Sequence, residues 1–399
     1  MKIIFLTFGP ISKRPGHLAR IISVLKEMSH DNEITVVCLG SEADNEKTMN
    51  YYSKVKFLHL PIQFKGWEID NLDASVRRIT NIVKNNKPEI VIMLMEVWDL
   101  IEQLNIKLKG ISKFAVLVHA MPFLTSPLQP SKNFKVDVEK QLQDGIENFK
   151  ATYINKHYKQ ARKILRKTNI ITCNKTISFY LKNYFPELII SEIQAEVRLE
   201  NRFNSQQSTR NKIFDFLYMA RAEKGKGVEY LHTILTETSY LLKRKVSIAL
   251  GVRTDDTFSK KTLENLKRRE CEGNYEIKFC SWMNEEVKNN IISKCSVFLY
   301  PSHYDNFPGV VTEALAFGLP VVAWKTLWST LNYTTLEFVK MAKLFDYNEF
   351  SKYATELLIN RNKYSRQVID YINTLPDPKM IAELDLHVYQ SIINSNEKN

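Results

Sequence analysis

What most constrains the fold of this chain is an alternation that runs through it twice. Short apolar runs of four to seven residues are separated by longer stretches with one apolar face. In the first half the runs fall at residues 3–8, 33–39, 55–60, 90–94, 114–119 and 170–173. The stretches between them predict helices near 17–29, 72–86, 133–168 in one or two pieces, and 174–184. This is the pattern of a parallel sheet covered by helices. Residues 198–212, RLENRFNSQQSTRNK, are polar and lack periodicity, as expected of a connection between domains. The alternation then restarts, with strands at 214–219, 246–250, 277–280, 297–300 and 320–323 and helices near 227–241, 257–270, 284–294 and 309–318. From about 378 the tail reads as one amphipathic helix. The expected class is therefore α/β, with an N-terminal Rossmann-like domain at 1–200, a second at 201–377 and a closing helix at 378–399. At 399 residues, each domain has enough chain to bury a core.

Five cysteines, odd in number and without a CxxC pair, argue against a disulfide framework or a zinc site and favour a reducing, cytoplasmic setting. The apolar run at 3–8 is stopped by Gly9 and Pro10, too short for a signal sequence, and is expected to be a buried first strand. No run of about 18 apolar residues predicts a transmembrane helix. The formal charge is +12, and no acidic residue lies between Glu147 and Glu187. That interval holds Lys150, Lys156, Lys159, Arg162, Lys163, Arg166, Lys167, Lys175 and Lys182, a solvated helix face or a surface for docking on an anionic membrane. No nucleic-acid-binding motif accompanies the charge, so no nucleic acid partner is expected.

In such sheets ligands bind beyond the carboxyl ends of the strands. The richest segment there is residues 301–322, PSHYDNFPGVVTEALAFGLPVV, which runs from a strand through a turn into a helix. Asp305 offers an acceptor for sugar hydroxyls, and free amides near Gly309 and Val310 at a helix start suit anionic phosphate. Glu313, one turn further on, suits a ribose diol. Residues 216–228, FLYMARAEKGKGV, again run from strand to loop. There Arg221 and Lys226 stand five apart, so that both cations can meet one diphosphate.

The first segment resembles the Glu-x7-Glu region of the family 4 retaining glycosyltransferases, through its Pro-Ser, Phe-Pro, Glu-Ala and Gly-x-Pro-Val-Val elements. The second resembles that family's Gly-Arg-x4-Lys-Gly segment, with Ala220 in place of glycine. The resemblance implies the GT-B fold, two Rossmann-like domains facing each other across a cleft, with the C-terminal helix crossing back to the N-terminal domain. It implies retaining transfer of a hexose from a UDP- or GDP-sugar to a glycan, glycolipid or other hydroxyl acceptor. It also implies that cations stand where a metal would, so no metal or other cofactor is expected. Residue by residue, Arg221, Lys226, Asp305, Asn306, Phe307, Gly309, Val310 and Glu313 would bind the donor. Gly9, Gly16 and His17 would form a loop near phosphate and acceptor, and His119 would stand near the reacting sugar with Asp305, Arg221 and Lys226. Two departures stand out: the first acid is the shorter Asp305, and Trp324 to Trp328 replace a Gly-Gly segment. An epimerase or phosphorylase of the same fold, or a protein that binds nucleotide sugar without transfer, are the competing expectations. The absence of GxGxxG after either first strand argues against a dehydrogenase. Asn174 and Lys175 read as a plain helix cap, and Asp255-Asp256 as a solvated turn.

Overall fold

The computed structural model describes residues 1–11, 19–65, 68–94, 96–119, 156–193, 212–221, 225–253, 257–281, 285–303 and 305–395. These form two compact units, each built on its own sheet.

The first unit contains β1 (Lys2–Thr7), β2 (Glu33–Leu39), β3 (Val55–Leu60), a small antiparallel hairpin of β4 (Phe64–Lys65) and β5 (Glu68–Ile69), β6 (Ile90–Met93), β7 (Lys113–Val118), β8 (Asn169–Thr172) and β9 (Ile190–Glu192). Its seven-stranded sheet has the order β3-β2-β1-β6-β7-β8-β9, and every pairing is parallel. Ile3, Ile4, Phe5 and Leu6 are all buried, because helices cover both faces of a sheet of this kind and leave a central strand no polar face. The helix Pro378–Asn394, capped by the Asp377 carboxylate on the Met380 amide, lies against the helix Ala19–Met28. Its Ile381, Ala382, Tyr389 and Ile392 join the same core as Ile3, Phe5 and Val24.

The second unit contains β10 (Phe214–Arg221), β11 (Val246–Arg253), β12 (Tyr275–Ser281), β13 (Cys295–Tyr300), β14 (Val321–Trp324) and β15 (Val339–Ala342). The order is β12-β11-β10-β13-β14-β15, again with every pairing parallel. In both sheets the first strand sits in the middle and the chain winds outward to each side, the doubly wound arrangement.

The predicted strands 33–39 and 55–60 match β2 and β3 residue for residue. The helix expected from 227 begins instead at Leu231, after a short 3-10 turn at Val228–Tyr230, because Gly227 has φ of +97° and cannot belong to a right-handed helix. Of the helix expected over 133–168, the described part is Lys156–Leu165. The connection at 198–211 lies outside the described residues. Sequence alternation leaves 324–377 unassigned, yet β15 and the helices Leu327–Tyr333, Tyr347–Ile359 and Arg361–Thr374 occupy it. β15 is a four-residue edge strand with Lys340 inside it, too short and too polar to register as an apolar run.

Candidate active site

The order of the second sheet fixes where a ligand can be met. β10 is bonded to β11 on one side and to β13 on the other, with Leu217 opposite Phe298. The chain leaves the carboxyl ends of β10 and β13 in opposite directions, so the two loops meet at the switch point, where ligands bind in sheets of this kind. Residues 225–227 follow β10 and residues 301–308 follow β13.

The two loops lock together. Gly225 and Gly227 adopt φ of +93° and +97°, the left-handed region that favours glycine. A Cβ on Gly227 would stand 2.3 Å from the Pro301 carbonyl oxygen, so the turn is pressed directly on the neighbouring loop. The Gly225 carbonyl accepts from the His303 amide at 3.2 Å and from the Ser302 hydroxyl at 3.3 Å. The Lys226 carbonyl accepts from the Tyr218 hydroxyl at 3.1 Å. Lys226 Nζ then donates to Asp305 Oδ2 at 2.7 Å, with both side chains only 17% exposed. The same oxygen accepts from the Tyr300 hydroxyl at 2.6 Å, and Asp305 Oδ1 accepts from the Asn306 amide at 2.9 Å. Burial would raise the Asp305 pKa, but the Lys226 ammonium and the hydrogen bonds outweigh it and hold the carboxyl below its ordinary value.

Glu313 lies on the helix Gly309–Ala316, where Lys288 Nζ of the helix Glu285–Ser293 meets its Oε2 at 2.9 Å. Pro308 precedes Gly309 and offers no side-chain cap, so the first turn keeps amides directed at the loop end. Phe307 and Val310 are half-buried, and Gly309 is exposed. Trp324 and Trp328, which stand where the resemblance led us to expect Gly-Gly, are fully buried. Trp328 meets the Tyr300 ring edge-on at 5.6 Å and so backs the tyrosine that holds Asp305. Trp324 packs against Tyr230, Phe345, Tyr347 and Phe350. A shallow depression of about 500 Å³ lies beyond this aromatic cluster, lined by Thr233, Glu237 and residues 343–348; none of the candidate site residues lines it.

In the first unit, β1 and β6 form the corresponding switch point. Gly9 follows β1, and its carbonyl accepts from the Thr7 hydroxyl at 3.1 Å. His119 follows β7; its amide donates to the Glu96 carboxylate, and its Nδ1 stands 3.6 Å from Cys173 Sγ beyond β8. Gly16, His17, the Arg221 side chain and Asp255-Asp256 lie outside the described residues. Asn174 caps the helix Lys175–Tyr184, accepting from the Ile177 amide at 2.8 Å.

The structure thus brings Lys226 into direct contact with Asp305, where the sequence suggested separate tasks for them. It adds Tyr300 and Lys288 in the second unit and Glu96 and Cys173 beside His119 in the first, none of which the sequence singles out. Only Tyr300 carried a signal, as the last residue of the strand that delivers the Asp305 loop. The basic run is partly neutralised: Arg162 and Arg166 share Glu187, Lys163 meets Glu102 and Lys182 meets Glu192. Among the described residues no helix is long and apolar enough to cross a membrane.

The fold of two doubly wound sheets, here with the Lys226–Asp305 pair at the switch point of the second, is shared ground with several known proteins. The chain superimposes over its length on Anabaena HepE in complex with UDP, with a TM-score of 0.68, 14% identity, and coverage of 98% of this chain and 100% of that one. It likewise resembles sucrose-phosphate synthase from Thermosynechococcus elongatus, with a TM-score of 0.67, 12% identity, and coverage of 99% and 100%. For a TarM mutant of S. aureus in complex with Fondaparinux, alpha-GlcNAc-glycerol and UDP, the TM-score is 0.68 at 10% identity, with coverage of 99% and 100%. A search of curated proteins gives no match. The chain has the GT-B fold that these structures share. More narrowly, residues 200–371 match the family described as glycosyl transferases group 1, in keeping with the resemblance to family 4 carried by the two loop segments.

Proposed function

We propose that the chain transfers a hexose from a UDP- or GDP-sugar to a hydroxyl of a glycan or lipid-linked acceptor, with retention at the anomeric carbon. The observation that carries this reading is the Lys226–Asp305 contact at the switch point, at 2.7 Å. In this reading Lys226, Arg221 and the first-turn amides of Gly309 and Val310 meet the diphosphate. Their fixed positive charge stabilises the negative charge that builds as the sugar–phosphate bond breaks, more than it stabilises the intact donor. No metal is then needed for that charge. Asp305, kept ionised by Lys226, has acceptor capacity left on Oδ1 for a sugar hydroxyl, alongside Asn306 and Phe307. Glu313 takes the ribose diol. The acceptor is assigned to the carboxyl-end loops of the first sheet, where Gly9 and His119 stand.

UDP in the HepE and TarM structures makes uridine donors the first to try. Purified protein incubated with UDP-glucose, UDP-N-acetylglucosamine and GDP-mannose should release the nucleoside diphosphate from at least one. Lys226→Ala should reduce that release by about 10²-fold or more, as loss of a charged transition-state contact does, and Glu313→Ala should reduce it at low donor concentration through lost ribose binding. Undiminished turnover in both variants would remove the assignment. We further propose that the exposed Lys159 and Lys167 of the basic run touch an anionic membrane surface. Flotation with phosphatidylserine vesicles tests this, and equal binding by the Lys159→Glu/Lys167→Glu variant would count against it.

A further inference from the structure

Lys226 is the one residue of a three-residue turn that faces the site, and something must hold that turn in place. The Gly225 amide donates to Glu229 Oε1 at 2.7 Å and the Gly227 amide donates to Glu229 Oε2 at 3.2 Å. One carboxylate therefore bridges the two amides that flank Lys226. Successive amides in left-handed turns form a concavity that binds anions. Here the anion is the protein's own, supplied from the 3-10 turn Val228–Tyr230. The carbonyls on the other side of the turn are fixed by Ser302, His303 and Tyr218, as described above. Glu229 is thus the only carboxylate holding the amide side of this turn among the described residues.

From this geometry we infer that Glu229 is a positioning residue for Lys226, and that it denies the turn's amides to phosphate, leaving the diphosphate to the Lys226 ammonium and the helix start at Gly309. The inference rests on the donor-binding reading of Lys226, and its test separates the two. Displacing a reacting or charge-stabilising group by about 1 Å costs on the order of 10²-fold in rate. Glu229→Ala should therefore lower kcat/KM for the active nucleotide sugar by about 10- to 10²-fold. Glu229→Gln, which keeps an acceptor for the Gly225 amide, should recover part of the loss and guards against a simple failure to fold.

The deciding measurement is a double-mutant cycle. If Glu229 acts through Lys226, Glu229→Ala costs nothing further in a Lys226→Ala background; an equal loss in both backgrounds would show a merely structural role and overturn the inference. A second readout does not depend on turnover. In a crystal structure of the Glu229→Ala or Glu229→Gln variant, Lys226 Nζ should lie beyond about 4 Å from Asp305, outside salt-bridge range. A wild-type separation in both variants would overturn the inference even if the donor reading stands. Conversely, displacement of Lys226 in a protein that turns over no nucleotide sugar would uphold the clamp and defeat the donor reading.

Discussion

At Asp305 three donors converge on one carboxylate, and their unequal worth sets what each substitution does. The Lys226 ammonium is a charge-assisted donor in a site only 17% exposed, so its loss should cost about 1.5–3 kcal/mol. The Tyr300 hydroxyl is neutral, and Tyr300→Phe, with the ring still stacked on Phe298 and backed by Trp328, should cost about 1 kcal/mol. The two differ in pH dependence as well as size. Lys226 opposes the effect of burial and keeps the Asp305 pKa depressed in the folded state. A depressed carboxylate pKa contributes stability that is present above the unfolded value, near 4, and is lost as pH falls through the folded value. In Lys226→Ala that contribution disappears or reverses, so acid unfolding should begin at a higher pH than in the wild type. Circular dichroism between pH 2 and 7 checks this, and Asp305→Asn added to Lys226→Ala should bring the acid midpoint back down. An unchanged midpoint in Lys226→Ala would mean that the ion pair does not form in solution.

Among the connecting elements, the turn after β10 tolerates little change. Gly227→Ala combines a left-handed backbone with a Cβ placed 2.3 Å from the Pro301 carbonyl, and nothing on that side is a flexible side-chain tip. Unfavourable backbone alone costs about 1–3 kcal/mol. The expected outcome is a loss of about 3 kcal/mol or more in denaturant unfolding together with loss of nucleotide-sugar turnover. At the opposite end of β10, burial pushes the Lys212 ammonium down to about 8, with its Nζ donating to the Ser293 carbonyl at 3.0 Å. A base whose folded pKa lies below its unfolded value of about 10.4 destabilises the fold wherever it must carry its proton, and that penalty is relieved as pH rises from about 8 to 10.4. Lys212→Met should accordingly raise the melting temperature at pH 7, by up to about 3 kcal/mol in stability, and its advantage over the wild type should shrink above pH 8. A constant advantage across that range would assign the effect to packing alone. These elements also show what the sequence discloses. β2 is legible to the residue because an apolar run between polar turns has only one way to be buried on two faces, and β3, a half-buried edge strand, because polar turns bound its run on both sides. Lys226, Asp305 and Glu313 are legible because each stands within a local motif at a strand end. Lys288 is not: it is one of 56 lysines and arginines, and only the packing of two helices beside β13 puts it on Glu313. Glu229 is hidden for a related reason, since its meaning depends on the two left-handed glycines, a backbone fact that residue names alone do not reveal.

The whole molecule is two cores threaded by one chain, and the thread returns. After the second unit ends, the helix Pro378–Asn394 contributes Ile381, Ala382, Tyr389 and Iles at 392 and 393 to the first unit's core rather than to the nearer-in-sequence second one. Tyr389 meets Phe5 of the central strand edge-on at 6.3 Å, and Lys113 Nζ donates to the Ser395 carbonyl at 2.7 Å. Fully burying a large apolar side chain is worth about 1.5–3 kcal/mol, so Ile381, Tyr389 and Ile392 together represent roughly 5 kcal/mol or more of the first unit's stability, on the scale of an entire domain's margin. Ending the chain at Leu375 should therefore unfold or severely loosen the first unit while leaving the second intact. Amide exchange is the suitable measurement because it reads each sheet separately. Amides of β1, β2 and β6 should lose protection in the shortened chain, those of β10, β11 and β13 should keep it, and UDP binding, assigned to the second unit, should survive. If protection fell equally in both sheets, the two cores would be one cooperative unit, and the closing helix would serve the molecule rather than the half it packs on.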